Sequence, residues 1–581
     1  MSKIHSFHIP VMGTAFSIDT PIKVAKFGID SVMQIMDDYL CERMREYWAG
    51  HYGLEYKEIS RDNPDYRAER IKAYLDLLDS IVKKQIVDIK AMSFEPGNDL
   101  TKYFELLAED SSLKQKYIEM LDGKTELQAW LKEQIKPGSI DVNIMVAVDR
   151  DNYDENGELI PAEFSDALSA LRGFANSTGE GAVILSAGFN RRLNSYIEKF
   201  PGFFPDENGQ FKKRIILKVS DYRSSQIQGK LFAKKGLWVS EFRVESGINC
   251  GGHCFPGEGK LLGPVMEGFK NNWDDLSCML FEMCNKALAK KNYKTFDKNP
   301  NMRLTVQGGI GTYDEAQFLQ KYYKADGTGW ASPFLLVPEV TNLDDDSLEK
   351  VKNAGPEDLY TSSLSPLGVP FNVVKNTMSH RKRAEGIANN KPGSPCLRRH
   401  LCFNNEYGRP LCTASREFQA REIGQIAEGD QKEFDRITQK ACLCEDLAAT
   451  VFLKYGLKYK TELNPIACPG PNVAYFSRIV SLADMVGHIY GRVNLLNDLP
   501  RPNMFIKEIS LYIDYLKTQI IDSLPQPTEK QLALFDKFKE NLSTGIEYYK
   551  GLIPDMKDEL LQLKRELDIA VSGVVVESGH Y

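Results

Sequence analysis

"MRLTVQGGIGTYDEAQF", residues 302–318, holds one whole unit of the fold: a short β-branched run, a turn carrying Gly308, Gly309 and Gly311, and the start of a helix. Seven further runs of the same kind lie before and after it, at 8–16, 29–37, 140–149, 181–188, 213–221, 237–247 and 327–339. Between most of them stand stretches with apolar residues three and four apart, such as "SDALSALRGFA" and "DDLSCMLFEMCNKALAKK". Strands that alternate with helices run parallel and are joined by helical crossovers. Eight such units predict an α/β fold, a closed (β/α)8 TIM barrel occupying residues 1–340.

The interval 38–139 is too long for a single connection and reads as a helical insertion after strand two, placed at the top of the barrel where it would form a lid. Beyond 340 the alternation stops. A cysteine-containing, loop-rich segment (341–430) is expected to pack on the barrel, followed by a helical C-terminal region (431–581).

Composition narrows the function. The 581 residues carry a net charge of -7 with Lys and Arg interspersed among acids, which argues against nucleic acid as a partner. No apolar run spans a bilayer, and "MSKIHSFHIPVMGTAF" lacks the charged-then-apolar order of a signal peptide, so a cytoplasmic protein is expected. The partners expected are a small-molecule substrate and, at most, a second copy of the chain. Cys396, Cys402, Cys412, Cys442, Cys444 and Cys468 gather after the barrel, but their spacing matches neither a zinc pair nor a ferredoxin run, and no metal is assigned to them.

Barrels bind ligands at the carboxyl ends of their strands, with phosphate commonly on the loops after strands seven and eight. Gly308 and Gly309 stand in the first of those loops, Ala331 and Ser332 in the second. Bare backbone N–H groups before a helix would receive an anion there. After strand six, "ESGINCGGHCFPGEG" (245–259) lies beside that cradle. Gly251 and Gly252 would admit a flat ring against the backbone, and His253 would give or take a proton near neutral pH.

Together "PVMGTAFSIDTP", "VNIMVAVD", "ESGINCGGH", "VQGGIGT" and "ADGTGWASPF" resemble the nitronate monooxygenase (2-nitropropane dioxygenase-like) family of FMN-dependent barrels, with this chain an extended member. The resemblance implies FMN as cofactor. It implies that Asn143 contacts the flavin, that Gly251 and Gly252 lie beneath the ring, and that His253 is the active-site histidine. Met12, Gly13 and Thr14 would line the ring from strand one, Lys218 would meet flavin charge, and Gly308, Gly309, Ala331 and Ser332 would hold the phosphate. Ser246 stands where the family has glutamine and Asn249 where it has glutamate, so the polar contacts to the ring must differ.

The activity implied is oxidation of a nitronate-like or other activated carbon acid through the flavin. Two other readings stay open: an enoyl reductase-like reaction on a conjugated acyl substrate, and a flavin-binding sensing or assembly module without chemistry.

Overall fold

The computed structural model describes residues 3–145, 149–153, 158–186, 188, 190–524 and 526–578, with side chains up to 571. Eight parallel strands close a barrel in chain order. The first five are β1 (Phe7–Ile9), β2 (Asp30–Gln34), β3 (Ile140–Ile144), β4 (Gly181–Leu185) and β5 (Lys213–Val219). Next comes β6 (Val239–Glu245); β7 (Gly252–His253) then leaves the barrel, and β8 (Arg303–Gln307) and β9 (Gly327–Gly329) complete it. Closure is made by Phe7 opposite Thr328 and His8 opposite Gly329.

All eight predicted runs therefore form the barrel, but the strands are shorter than the runs. β1 stops before Pro10, which has no N–H for the ladder, and β8 stops where glycines take over. The outer parts of the third and fourth runs, 146–148 and 187, lie outside the described residues.

Parallel strands are covered on both faces, so their side chains are apolar outward as well as inward. Val32, Ala182, Ile184 and Ile216 form a cluster of their own with Val11, separate from the main core shared with the helices. Part of the barrel is filled by charge instead. Glu241, 3% exposed, accepts from Arg243 at 2.6 Å, Thr305 at 2.6 Å and Arg303 at 3.2 Å. Burial alone would raise its pKa, yet Arg243 and Arg303 hold the carboxyl well below the usual range.

The insertion does not sit as expected at the top of the barrel. Its long helix, Tyr66–Ala91, packs on the helix Asp166–Asn176 that follows β3, as the ordinary crossover of a barrel does. Contact is close enough that a Cβ on Gly173 would lie 2.7 Å from the Ala68 carbonyl. The later part, 99–134, lies at the amino-terminal rim, where Lys26 pairs with Asp99 at 2.5 Å and Tyr103 donates to the Lys136 carbonyl at 3.1 Å. Among the described residues of the insertion, the start of the entry helix Asp38–His51, the loop after it and the first turn of the long helix reach the mouth.

The mouth is covered by the extension. β10 (Leu359–Ser362) and β11 (Phe371–Val374) pair antiparallel, and β11 receives β7 as the third strand. The helix Met504–Ser523 then packs over the β6 loop, and the helix Glu529–Leu552 meets the helix Leu262–Lys290, where Tyr549 Oη accepts from the Gly263 N–H at 2.7 Å.

Candidate functional site

At the end of β8 the backbone turns through Gly308 (φ +108°) and Gly309 (φ +79°), a conformation that side chains strongly disfavour. No side chain would fit either. A Cβ on Gly308 would lie 2.9 Å from Ser246 Cβ, and one on Gly309 would overlap the Asn249 amide. After β9, Trp330 N–H is taken by the His8 carbonyl at 3.1 Å, while the next two residues turn into a short 3-10 helix. The N–H groups of Gly308, Gly309, Ile310, Ala331 and Ser332 have no acceptor among the described residues, and all five residues line one cavity. Ile310 is buried and the other four residues are half-buried, and N–H groups so shielded are usually paired, so five without an acceptor around one cavity suit an anion.

The loop's carbonyls are held from the other side. Arg501 donates to the Gly309 carbonyl at 2.7 Å and to Asn472 Oδ1 at 2.7 Å, and forks onto Glu315 at 2.8 and 2.9 Å. Asn472 in turn donates to the Ile310 carbonyl at 2.8 Å. With its carbonyls engaged by the extension, the loop leaves its amides to the cavity.

Of the predicted residues, Met12, Gly13, Gly251, Gly308, Gly309, Ala331 and Ser332 line this cavity; Thr14, Asn143, Lys218, Ser246, Gly252 and His253 do not. What lies against Gly251 and Gly252 is the protein's own chain. A Cβ on Gly251 would be 2.7 Å from the Cys468 carbonyl, and that carbonyl accepts the Gly252 N–H at 3.1 Å. His253 belongs to the small sheet. Its Nε2 is 2.7 Å from Ser365 Oγ, its ring meets Phe371 edge-on, and burial lowers its pKa to about 4. At pH 7 it is a neutral, hydrogen-bonded group packed away from the cavity.

Lys218 stands on β5 and Asn143 on β3. Lys218 Nζ is 2.5 Å from Glu245 Oε2, Gln307 Nε2 donates to Glu245 Oε1, and His8 Nε2 is 3.3 Å from Gln307 Oε1. Burial and then Arg243 lower the His8 pKa to about 3, so the imidazole is neutral at pH 7. Asn143 is 4% exposed and its Oδ1 has no partner.

Sequence reading missed Glu245, Gln307 and Asn472 in the cavity wall, and Arg501 behind it. For Glu245 and Gln307 the signal was present, since each is the last residue of a barrel strand. Asn472 and Arg501 lie more than 160 residues beyond the loop they hold, and no local pattern marks them.

Ser246 has a structural task. Its hydroxyl donates to Glu508 at 2.5 Å, whose other oxygen accepts the Leu262 N–H at 2.9 Å. Burial raises the Glu508 carboxyl from 4.5 to about 7. The folded protein therefore holds this proton more tightly than the unfolded chain does. The contribution to stability is complete below pH ~4.5 and is lost as pH rises to about 7. Glu508→Gln, which donates and accepts like the protonated acid, is expected to match wild type at pH 4.5 and to exceed it by ~3 kcal/mol at pH 8. Urea melts at both values check this, and the difference between the two proteins cancels other titrating groups. A gap that stays constant with pH would refute it.

The fold and site define a (β/α)8 barrel with a cavity ringed by unpaired backbone N–H groups at the carboxyl ends of its last two strands. The sequence matches no family model and no curated relative. Among solved structures, FabK from Thermotoga maritima is 14% identical with a TM-score of 0.33, covering 84% of this chain and 92% of that one. Nitroalkane oxidase from Streptomyces ansochromogenes is 9% identical with a TM-score of 0.34, covering 84% and 94%.

The site fits FMN in part. Five unpaired N–H groups and small side chains suit the phosphate, and the cavity beside them, about 80 Å³, is of a phosphoryl group's size. A tricyclic ring is several times larger, and the place expected for it against Gly251 is taken by Cys468–Gly470.

Proposed function

We propose that the protein is a flavin-dependent oxidoreductase that grips FMN by its phosphate and acts on a small activated carbon acid of the nitronate kind. The observation that carries this is the set of unpaired N–H groups on Gly308, Gly309, Ile310, Ala331 and Ser332. The resemblance of "ESGINCGGH" and "VQGGIGT" to nitronate monooxygenases supports the substrate class. Bound flavin would supply the acceptor for a hydride or for single electrons.

The protein's own part is to orient the substrate and hold its proton. With His253 turned onto Ser365, the group for this is Glu245, which lines the cavity between Lys218 and Gln307. Lys218 would balance negative charge that grows on either partner. Room for the ring requires the segment Cys468–Gly470 to shift off Gly251.

The test is cofactor uptake by freshly purified protein, followed by its absorption spectrum under anaerobic conditions. FMN is expected to bind at least about 100-fold more tightly than riboflavin, because charge-assisted N–H bonds to phosphate supply that much. Equal affinity for the two would remove the cradle from the account. Failure to take up either would end the flavin reading.

A further inference from the structure

A second cavity, about 1070 Å³, opens between the carboxyl rim of β2 and β3 and the extension, and it shares no lining residue with the cradle. The charges in its wall fall into two groups. Its three acids are all engaged: Asp37 with Arg398, Asp38 with Arg70 at 3.0 Å, and Asp65 with Arg172. Arg409 is likewise bound to Glu417 and Arg67 to Asp166.

Four cations are left over. Arg61, Arg399 and Lys460 have no acid within 4 Å among the described residues. Arg150 has only Asp166, at 3.9 Å, and its buried Nε–H has no hydrogen-bond partner. Such a surplus stands out in a chain of net charge -7. Arg399 also sits at φ +60°, a left-handed conformation that costs a non-glycine residue energy, on the turn between Cys396 and Cys402. The turn thus holds, in a disfavoured conformation, a guanidinium with no ion-pair partner among the described residues.

Aromatic rings complete the wall, and all but Tyr153 have one of the protein's own guanidinium groups over one face, 5.1–5.6 Å from the ring centre. Tyr39, Tyr66, Tyr153, Phe164 and Tyr459 line the same cavity as the four cations. Guanidinium groups bind phosphate oxygens in pairs, and aromatic or guanidinium faces stack on a nucleobase. The volume is that of a site for a ligand of nucleotide size.

We propose that this cavity binds a nucleoside diphosphate, free or as part of a larger cofactor or substrate. The diphosphate lies among Arg61, Arg150, Arg399 and Lys460, and the base lies on the tyrosines. The site is independent of the flavin reading and stands if the cradle holds no FMN.

Calorimetry on the full chain tests it with ADP, pyrophosphate, adenosine and citrate as probes. ADP is expected to bind at least about 10-fold more tightly than pyrophosphate or adenosine, since each of those keeps one half of the contacts. Its affinity should fall with added salt, because exposed charges are screened. Arg61→Ala with Arg399→Ala should weaken ADP about 10-fold or more at unchanged Tm, since neither side chain has a partner among the described residues. Absence of ADP binding overturns the site. Citrate binding as tightly as ADP overturns the nucleoside part. ADP binding that survives the double substitution and yields to FMN places the ligand in the cradle and also overturns the proposal.

Discussion

Gly309→Ala is expected to abolish FMN uptake and to destabilise the protein by at least ~2 kcal/mol, because a left-handed alanine and a steric overlap add together. The backbone at Gly309 has φ +79°, and a methyl group there would meet the Asn249 amide. That amide cannot simply swing away, since its Nδ2 is 3.4 Å from the Met504 carbonyl and its residue is 2% exposed. Relief must come from the loop itself, and moving the loop turns its amides out of the cradle. Pairing the change with Asn249→Ala separates the two costs. The double variant should recover the steric part and keep only the penalty of positive φ, ~1 kcal/mol. Urea midpoints measure the stability, and bound flavin per chain measures the cradle. A Gly309→Ala protein with wild-type midpoint and flavin content would show that the loop is neither tight nor in use.

The contrast between Gly309 and Gly251 explains how far the sequence could be read. Eight runs with intervening helices were enough for the barrel, because strand and helix periods are local and closure follows from their number. The cradle was legible for the same reason: glycine pairs at strand ends show where a backbone must do without side chains. Glycines do not say what approaches them. At Gly308 and Gly309 the near neighbours are Ser246 and Asn249, and the amides stay free; at Gly251 the neighbour is the backbone of Cys468. His253 misled for a related reason. A histidine beside glycines reads as an active-site group, yet its partner, Ser365, lies 112 residues away. The insertion was judged by its length and its amphipathic helices, and neither could show that Tyr66–Ala91 is simply the crossover helix of the second unit.

Arg501→Ala should be the most damaging single change in the extension, costing about 3–5 kcal/mol, since it leaves a buried carboxylate without its cation. The side chains of Arg501 and Glu315 are 8% and 7% exposed, so water cannot replace the lost partner. Glu315 also accepts the N–H groups of Gly311 at 2.9 Å and Met504 at 2.8 Å, which ties the cradle loop and the final helices to one acid. Arg501→Met with Glu315→Gln should therefore recover most of the stability, because charge and countercharge leave together while the amide oxygen keeps one N–H bond. Flavin uptake should not recover with it. The Gly309 carbonyl and Asn472 lose their donor in both variants, and the loop amides gain freedom to turn away from the cavity. Bound flavin per chain, read beside the urea midpoint, separates the two roles. Uptake restored by the double substitution would make Arg501 a charge-balancing residue alone, whereas a stable protein that takes up no flavin would make it the residue that aims the cradle.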